Sequence, residues 1–327
     1  MDNIVIIIFM KVIKTKLNYV NSYSLFDTST LIVGEVVPFD ILIKKENDYI
    51  IIIEAGTLLS ESLYTKLKKQ ESLYIAKKDE EKQILSCESL KYYIRHNRDN
   101  FSKRVKLLYD VTDQLFEMFL KNKDNNINLD CVSLIVKAII YLIKYDPYFI
   151  KNTMPYFVNE NMLKNHSLHV AIYALSLGNA LKFNDEQLLK LGTAGLLHDV
   201  GFKKIDTELI SKESHLNPAE IAIVQKHVLY SVEIIKQNHI HDPYILDAVM
   251  HHHERYDGSG YPNNLTKGEI SDFASILAIC DVFDALTNSR AHRKNYSSFD
   301  ALKMMMRDSE MVNGFNQRYL HLSLKLL

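Results

Sequence analysis

Hydrophobic and polar positions divide the chain into two regimes. Residues 32–43 are rich in β-branched side chains and broken by Gly34 and Pro38. A second apolar run, Ile50 to Ile53, follows the interruption at Asp48-Tyr49 and stops at Gly56. Short β-branched runs bounded by turn residues predict two or three strands with a hairpin at Glu46-Asn47-Asp48. Leu59, Leu63 and Leu67 recur every four residues and predict a helix over 60–69, and 73–76 is a last strand candidate. Residues 1–80 are therefore expected to form a small α/β or mostly β module. The charged stretch 79–82 reads as a linker.

Beyond it the period changes to that of a helix. Val105, Leu108, Val111, Leu115 and Phe119 share one helical face, and so do Leu129, Val132, Val136, Ile139, Ile140 and Ile143, with Pro147 as the stop. These two helices predict a helical connector over 81–149, open to a role in packing, signalling or dimerisation. From residue 150 helical segments follow one another: 167–181, 188–197, 218–236 with Pro218 as an N-terminal residue, 245–253, then a glycine-rich loop, 273–286, 298–307 and 319–326. The fold class expected is mainly α: an all-α C-terminal domain over 150–327 behind the small N-terminal module.

Composition narrows the role. A net charge of -1 gives no global basic field for a nucleic-acid polymer. Cys87, Cys131 and Cys280 are widely spaced and fit free thiols rather than a disulfide framework. The apolar run at 4–10 is far shorter than the roughly 18 residues that span a bilayer. It reads as a buried strand, and the chain is expected to be cytoplasmic, without a membrane partner.

The candidate chemistry is concentrated. Ten of the 13 histidines fall between 166 and 281, beside Asp199, Glu254 and Asp281. Imidazole nitrogen with carboxylate oxygen suits iron, manganese, nickel or zinc. Two such ions about 3.5–4 Å apart can clamp a phosphoryl group during in-line attack, and a carboxylate can bridge them. Isolated histidines are usually structural, and His215, His239, His241 and His292 read that way. His169 and His251 are ambiguous neighbours of the cluster.

The stretch His252-His253-Glu254-Arg255-Tyr256-Asp257-Gly258-Ser259-Gly260-Tyr261-Pro262 matches the HHExxDGxGYP signature of HD-GYP domains. His166-Ser167 with Val170, Leu197-His198-Asp199-Val200-Gly201, His227, the segment from Ile279 through Asp281 and Asp284 to Thr287, and Arg290 with Arg293 resemble the family's other motifs. The resemblance covers about 150–327. It implies an all-α HD-superfamily domain that hydrolyses cyclic di-GMP to linear pGpG, with GMP as the alternative end product and cyclic GMP-AMP as the alternative substrate. It implies two divalent metal ions, iron first, with manganese, nickel or zinc compatible. His166, His198, Asp199 and Asp281 would hold one, Asp199 would bridge to a second on His227, His252 and His253, and a bridging hydroxide would attack phosphorus. His198 and Asp199 would thus be the catalytic pair. Gly260, Tyr261, Pro262, Arg290, Arg293 and Asp284 are the expected substrate contacts, with Asp284 and Glu254 also candidates for orienting metal ligands from behind.

Three departures bear on this. Phe202 stands where the family commonly has lysine after HDxG, which puts a phosphate contact in doubt, and the offset of Lys203 and Lys204 points them elsewhere. Met162 stands where some members carry a third-metal glutamate, so a two-metal centre is expected. Ala291-His292 replaces proline and an aromatic. Phe202 keeps open a second reading, a signalling adaptor that holds a cyclic dinucleotide with little turnover. A homodimer or a signalling protein is the expected macromolecular partner.

Overall fold

The computed structural model describes residues 23–76, 101–153, 162–287 and 296–327, apart from single positions at 27, 29, 30, 32, 35, 38, 47, 147, 148, 213, 309, 310 and 312. The apolar run at 4–10 and the charged stretch at 79–82 lie outside the described residues. The chain divides into two compact units, 1–96 and 97–327.

The first unit holds strands β1 (Tyr23–Phe26), β2 (Ile41–Lys45) and β3 (Asp48–Ile53), helix α1 (Glu61–Leu67) and strand β4 (Leu73–Ala76). They form one antiparallel sheet in the order β1-β4-β2-β3. The expected hairpin is present: Lys45 pairs with Asp48, and Glu46 takes φ 57 in the turn. Alternation along the strands sends Ile41, Ile53, Leu73 and Ile75 into a core with Phe26, Phe39, Leu59 and Leu67. Ser60 Oγ caps α1 by accepting from Leu63 N at 3.2 Å. The first half of the 32–43 run differs from expectation. Gly34 sits at φ 93 and Val36 makes only a single bridge, to Leu58, so ladder pairing begins at Ile41. β1 was not read from sequence, because Tyr-Ser-Leu-Phe is too short to show a period.

The second unit is helical: α2 (Phe101–Lys121), α3 (Leu129–Tyr145), α4 (Phe149–Thr153), α5 (Met162–Ala180), α6 (Asp185–Leu197), a 3-10 turn (Val200–Lys204), α7 (Thr207–Ile210), α8 (Pro218–Val224), α9 (His227–Gln237), α10 (Pro243–His251), α11 (Asp272–Thr287), α12 (Ser298–Arg307) and α13 (Gln317–Leu326). α5 and α11 are its centre. Leu168, Val170, Ala171, Ile172, Tyr173, Ala174 and Leu175 are all buried on α5, so every side of that stretch meets protein. α6 packs on α5, and α10 packs on both α6 and α11. Where α5 and α6 cross, a Cβ on Gly195 would stand 3.0 Å from the Ala171 Cα, so glycine permits the approach.

The described part of 81–149 packs against the helices that follow, and one expectation about those later helices is corrected here. α2 packs on α5, α3 packs on α5 and α6, and the anticipated apolar face of α2 is wholly buried. Asn238 at the end of α9 ties in the loop between α2 and α3, accepting from Ile127 N at 2.7 Å and donating to Asn125 O at 2.9 Å. The expected single helix over 218–236 breaks at Gln225 and Lys226 into α8 and α9. A capping box of Asn217 and Glu220 starts α8 with Pro218 in its first turn, so the start was legible and the break was not.

Asn238→Ala would leave the buried Ile127 N–H unpaired. It is expected to cost about 1–3 kcal/mol of unfolding free energy, measured by urea denaturation.

Candidate metal centre

Five helices and one turn deliver the histidine and aspartate side chains to one point: α5 (His166), the C-terminus of α6 with the turn that follows (His198 and Asp199), the first residue of α9 (His227), the end of α10 (His252 and His253) and α11 (Asp281). Asp199 sits at the middle. Its Oδ2 lies 3.3 Å from His198 Nε2 and 3.7 Å from His166 Nε2, while its Oδ1 lies 3.3 Å from His227 Nε2 and 3.6 Å from His252 Nε2. Asp281 occupies the opposite wall, 3.2 Å from His166 Nε2 and 3.5 Å from His253 Nδ1.

The backbone fixes which ring nitrogen faces inward. His198, His227 and His252 each donate Nδ1–H to the carbonyl three residues earlier, Gly195, Val224 and Val249, at 2.8 Å in all three cases. Each therefore turns a lone pair on Nε2 toward Asp199. Those three Nε2 atoms and Asp199 Oδ1 are buried without a hydrogen-bond partner. Buried polar atoms without partners cost free energy, and four aimed at one spot are what a cation would satisfy. Two groups have the spacing to hold one ion each, with Asp199 common to both: Asp199, His227, His252 and His253, and His166, His198 and Asp199.

Protonation follows from the same contacts. Burial lowers the pKa of His252 and pushes that of His253 far down, the latter helped by the adjacent His252, so both rings favour the neutral form. Burial also acts to lower His166 and His227, but carboxylates outweigh it: Asp281 and Asp284 raise His166, and Asp199 raises His227. Asp199 is itself held well below the carboxylate range against its burial by the surrounding imidazoles.

The remaining candidates fall in several places. Asp284 is 2% exposed, and its two oxygens face His166 Nδ1 at 2.7 Å and His169 Nδ1 at 2.9 Å, so it sits behind the site and orients His166 instead of meeting a substrate. Glu254 does not orient a histidine. Its oxygens accept from Asn263 N at 2.6 Å and Leu265 N at 2.9 Å, stapling the loop after the signature. In that loop Gly258 takes φ 79, and a Cβ on Gly260 would come within 2.4 Å of Glu254 Cα, which excludes any side chain there. The loop, with a cis bond between Tyr261 and Pro262, lays the Tyr261 ring on His253 at 4.7 Å between centroids. His251 uses both ring nitrogens, on Asp247 and Asn263, and so braces the loop. His215, His239 and His241 are exposed. Arg290, Arg293 and the Ala291-His292 pair lie outside the described residues.

Phe202 has a contact of its own. Its ring stacks on the outer face of His227, with centroids 4.3 Å apart and planes 10° from parallel. Gly201 permits this, since its N–H donates to Ser231 Oγ at 2.8 Å and a Cβ would collide with His227 O. Lys203 turns away to Phe119 O at 2.6 Å and Lys204 to Glu233 at 2.8 Å, as their offset predicts. Sequence reasoning missed Tyr109, whose hydroxyl meets His169 Nε2 at 2.7 Å. A signal existed: Tyr109 shares a helical face with Val105 and Thr112, and a tyrosine hydroxyl on a buried face needs a polar partner.

Among the described residues no helix is long and apolar enough to cross a membrane. The HD domain family model matches residues 150–312. The chain is 32% identical over 140 residues to the cyclic di-GMP phosphodiesterase PA4108 of Pseudomonas aeruginosa, covering 43% of this chain and 34% of that one. It is 36% identical over 129 residues to the 3'3'-cGAMP-specific phosphodiesterase 2 of Vibrio cholerae, covering 39% of this chain and 25% of that one. The chain thus spans about a third or less of the length of these two relatives. Among solved structures, Bd1817, an HDG"Y"P protein from Bdellovibrio bacteriovorus, superposes with a TM-score of 0.60 over 93% of this chain and 98% of that one, at 18% identity, which is a likeness of fold. Residues 150–312 form an HD domain, and with the complete signature at 252–262 the chain belongs to the HD-GYP family.

Proposed function

We propose that this chain is a metal-dependent phosphodiesterase that opens a cyclic dinucleotide, with cyclic di-GMP as the first substrate. The observation that carries the reading is the set of four buried, unpartnered atoms around Asp199. Two divalent ions fit the donor set. One would take His166, His198, Asp199 and Asp281, and the other Asp199, His227, His252 and His253, with iron first and manganese, nickel or zinc compatible with the same nitrogen and oxygen donors. Bound there, such ions supply a water of lowered pKa and neutralise charge on the phosphoryl oxygens.

The chain's own residues do the rest. Asp199 stays ionised and would help to hold both ions. The helix carbonyls behind His198, His227 and His252 keep their lone pairs aimed inward, and Phe202 limits rotation of His227. The Gly258–Gly260 segment brings backbone close to the site, and Tyr261, fixed against His253, offers its free face to a base. Arg290 and Arg293 are the proposed phosphate contacts. The catalytic domain is assigned to 150–327, with α2 and α3 as its support, and residues 1–80 remain a module of separate role. A 3'3'-cGAMP-specific relative at 36% identity favours cyclic GMP-AMP as the second reading. Phe202, in place of a basic side chain, favours the weaker alternative of a binding adaptor.

Anaerobically purified protein assayed with cyclic di-GMP, with bound metal counted on the same sample, tests this. Turnover with about two ions per chain is expected, since two donor groups share Asp199. No turnover despite two bound ions would redirect the assignment to cyclic GMP-AMP or to binding alone. Asp199→Ala should lose both metal and activity. Tyr261→Ala should raise KM with metal content unchanged, and equal metal loss in both variants would refute the role given to the loop.

The metal-free site also sets a pH dependence. His166 and His227 have raised pKa values, so each takes a proton on Nε2 more readily than an ordinary imidazole, and a metal must compete with that proton. Affinity should therefore rise with pH through the range where these rings titrate, with proton release visible in calorimetry across buffers of different ionisation enthalpy. A pH-independent affinity would contradict this.

A further inference from the structure

Behind the metal centre a series of hydrogen bonds runs out to α2. Tyr109 Oη meets His169 Nε2 at 2.7 Å, His169 Nδ1 meets Asp284 Oδ1 at 2.9 Å, and Asp284 Oδ2 meets His166 Nδ1 at 2.7 Å. His169 is 1% exposed and Asp284 2%. Directions follow from the end of the series. Burial, then the nearby Asp284 carboxylate, push the Tyr109 phenol far above its ordinary pKa, so it carries its proton and donates to His169 Nε2. His169 then has its hydrogen on Nδ1 and donates to Asp284. Each Asp284 oxygen lies within hydrogen-bond distance of one ring nitrogen, His169 Nδ1 or His166 Nδ1. As a carboxylate it accepts from both rings. His166 is thereby left with its lone pair on Nε2, facing Asp199 and Asp281.

His166 needs this more than His198, His227 and His252 do. His198, His227 and His252 are oriented by carbonyls three residues earlier in the chain, so the backbone of each settles its ring. His166 Nδ1 instead has a side chain as its partner, Asp284 from another helix. Its orientation depends on tertiary contacts, and those lead through His169 to α2, which begins shortly after the first unit ends at His96.

We propose that Tyr109 and His169 are positioning residues for the metal centre, setting the orientation of His166 through Asp284 and so coupling the placement of α2 to metal affinity at that half of the site. The inference rests on the metal-centre reading above. It makes α2 a helix whose displacement would loosen one ligand while leaving His198, His227 and His252 in place.

The test is titration of metal-free protein with cobalt(II), followed by its visible absorption, beside the thermal midpoint of the same metal-free samples. Tyr109→Phe keeps the ring and removes only the donor. It should weaken cobalt(II) binding about three- to tenfold, less than the 10–100-fold typical of a group that bonds the ligand itself. His169→Asn retains a donor for Asp284 but loses Tyr109, and should match Tyr109→Phe. The double variant should be no weaker than either single, because both cut the same link. His169→Leu should fall further. Thr112→Val, a buried change on the same helix face whose hydroxyl bonds only within α2 at Leu108 O, controls for packing and should bind as the parent does. Parent-like affinity in Tyr109→Phe, or an equal loss in Thr112→Val, overturns the proposal. Failure of the parent itself to bind cobalt(II) would overturn the metal-centre reading with it.

Discussion

The second unit is organised around one buried carboxylate. Asp199 is 7% exposed and is ringed by imidazoles from four helices. An ionised carboxylate in such a place is costly unless cations or hydrogen-bond donors surround it. The nitrogens of His198, His227 and His252 that face it present lone pairs, and these unpartnered atoms mark where a cation belongs. α5, α6, α9, α10 and α11 meet at that point. Glycines do the close work: Gly195 lets α5 meet α6, and Gly201 lets the turn after Asp199 lie against the start of α9.

The ring ligands are held in two different ways, and this divides the site. On one side, His198, His227 and His252 take their orientation from their own backbone, and Phe202 adds a stacked ring against His227. On that side the ring orientations are set within three residues of each histidine. On the other, His166 depends on Asp284, which stands on α11 and is shared with His169. The loop that follows α10 is a third layer. Glu254 and His251 pin it from within, and Tyr261 rests on His253, so the face offered to a substrate is continuous with a metal ligand.

A good part of this was legible in the sequence. The apolar faces of α2 and α3 followed from spacing alone, because burial on one side of a helix repeats every three or four residues. The hairpin at Glu46, the start of α8 at Pro218 and the density of histidine and aspartate between 166 and 281 were equally local signals. The signature at 252–262 indicated family and chemistry because its glycines and its tyrosine answer to constraints a few residues away, such as the 2.4 Å approach of Gly260 to Glu254.

Tertiary structure decided what depends on partners far apart in the chain. That Phe202 would lie on His227, that Asp284 would face two histidines instead of a substrate, and that Glu254 would staple a loop could not be read from period or composition, since each side chain has more than one chemically reasonable partner. The same holds for α2 and α3, whose apolar faces identified them as helices without naming the surface they would cover. The link from Tyr109 to His169 spans 60 residues. Sequence determined which groups could ligate a metal; packing decided which nitrogens point inward, because a ring's orientation is set by the neighbour that takes its other hydrogen.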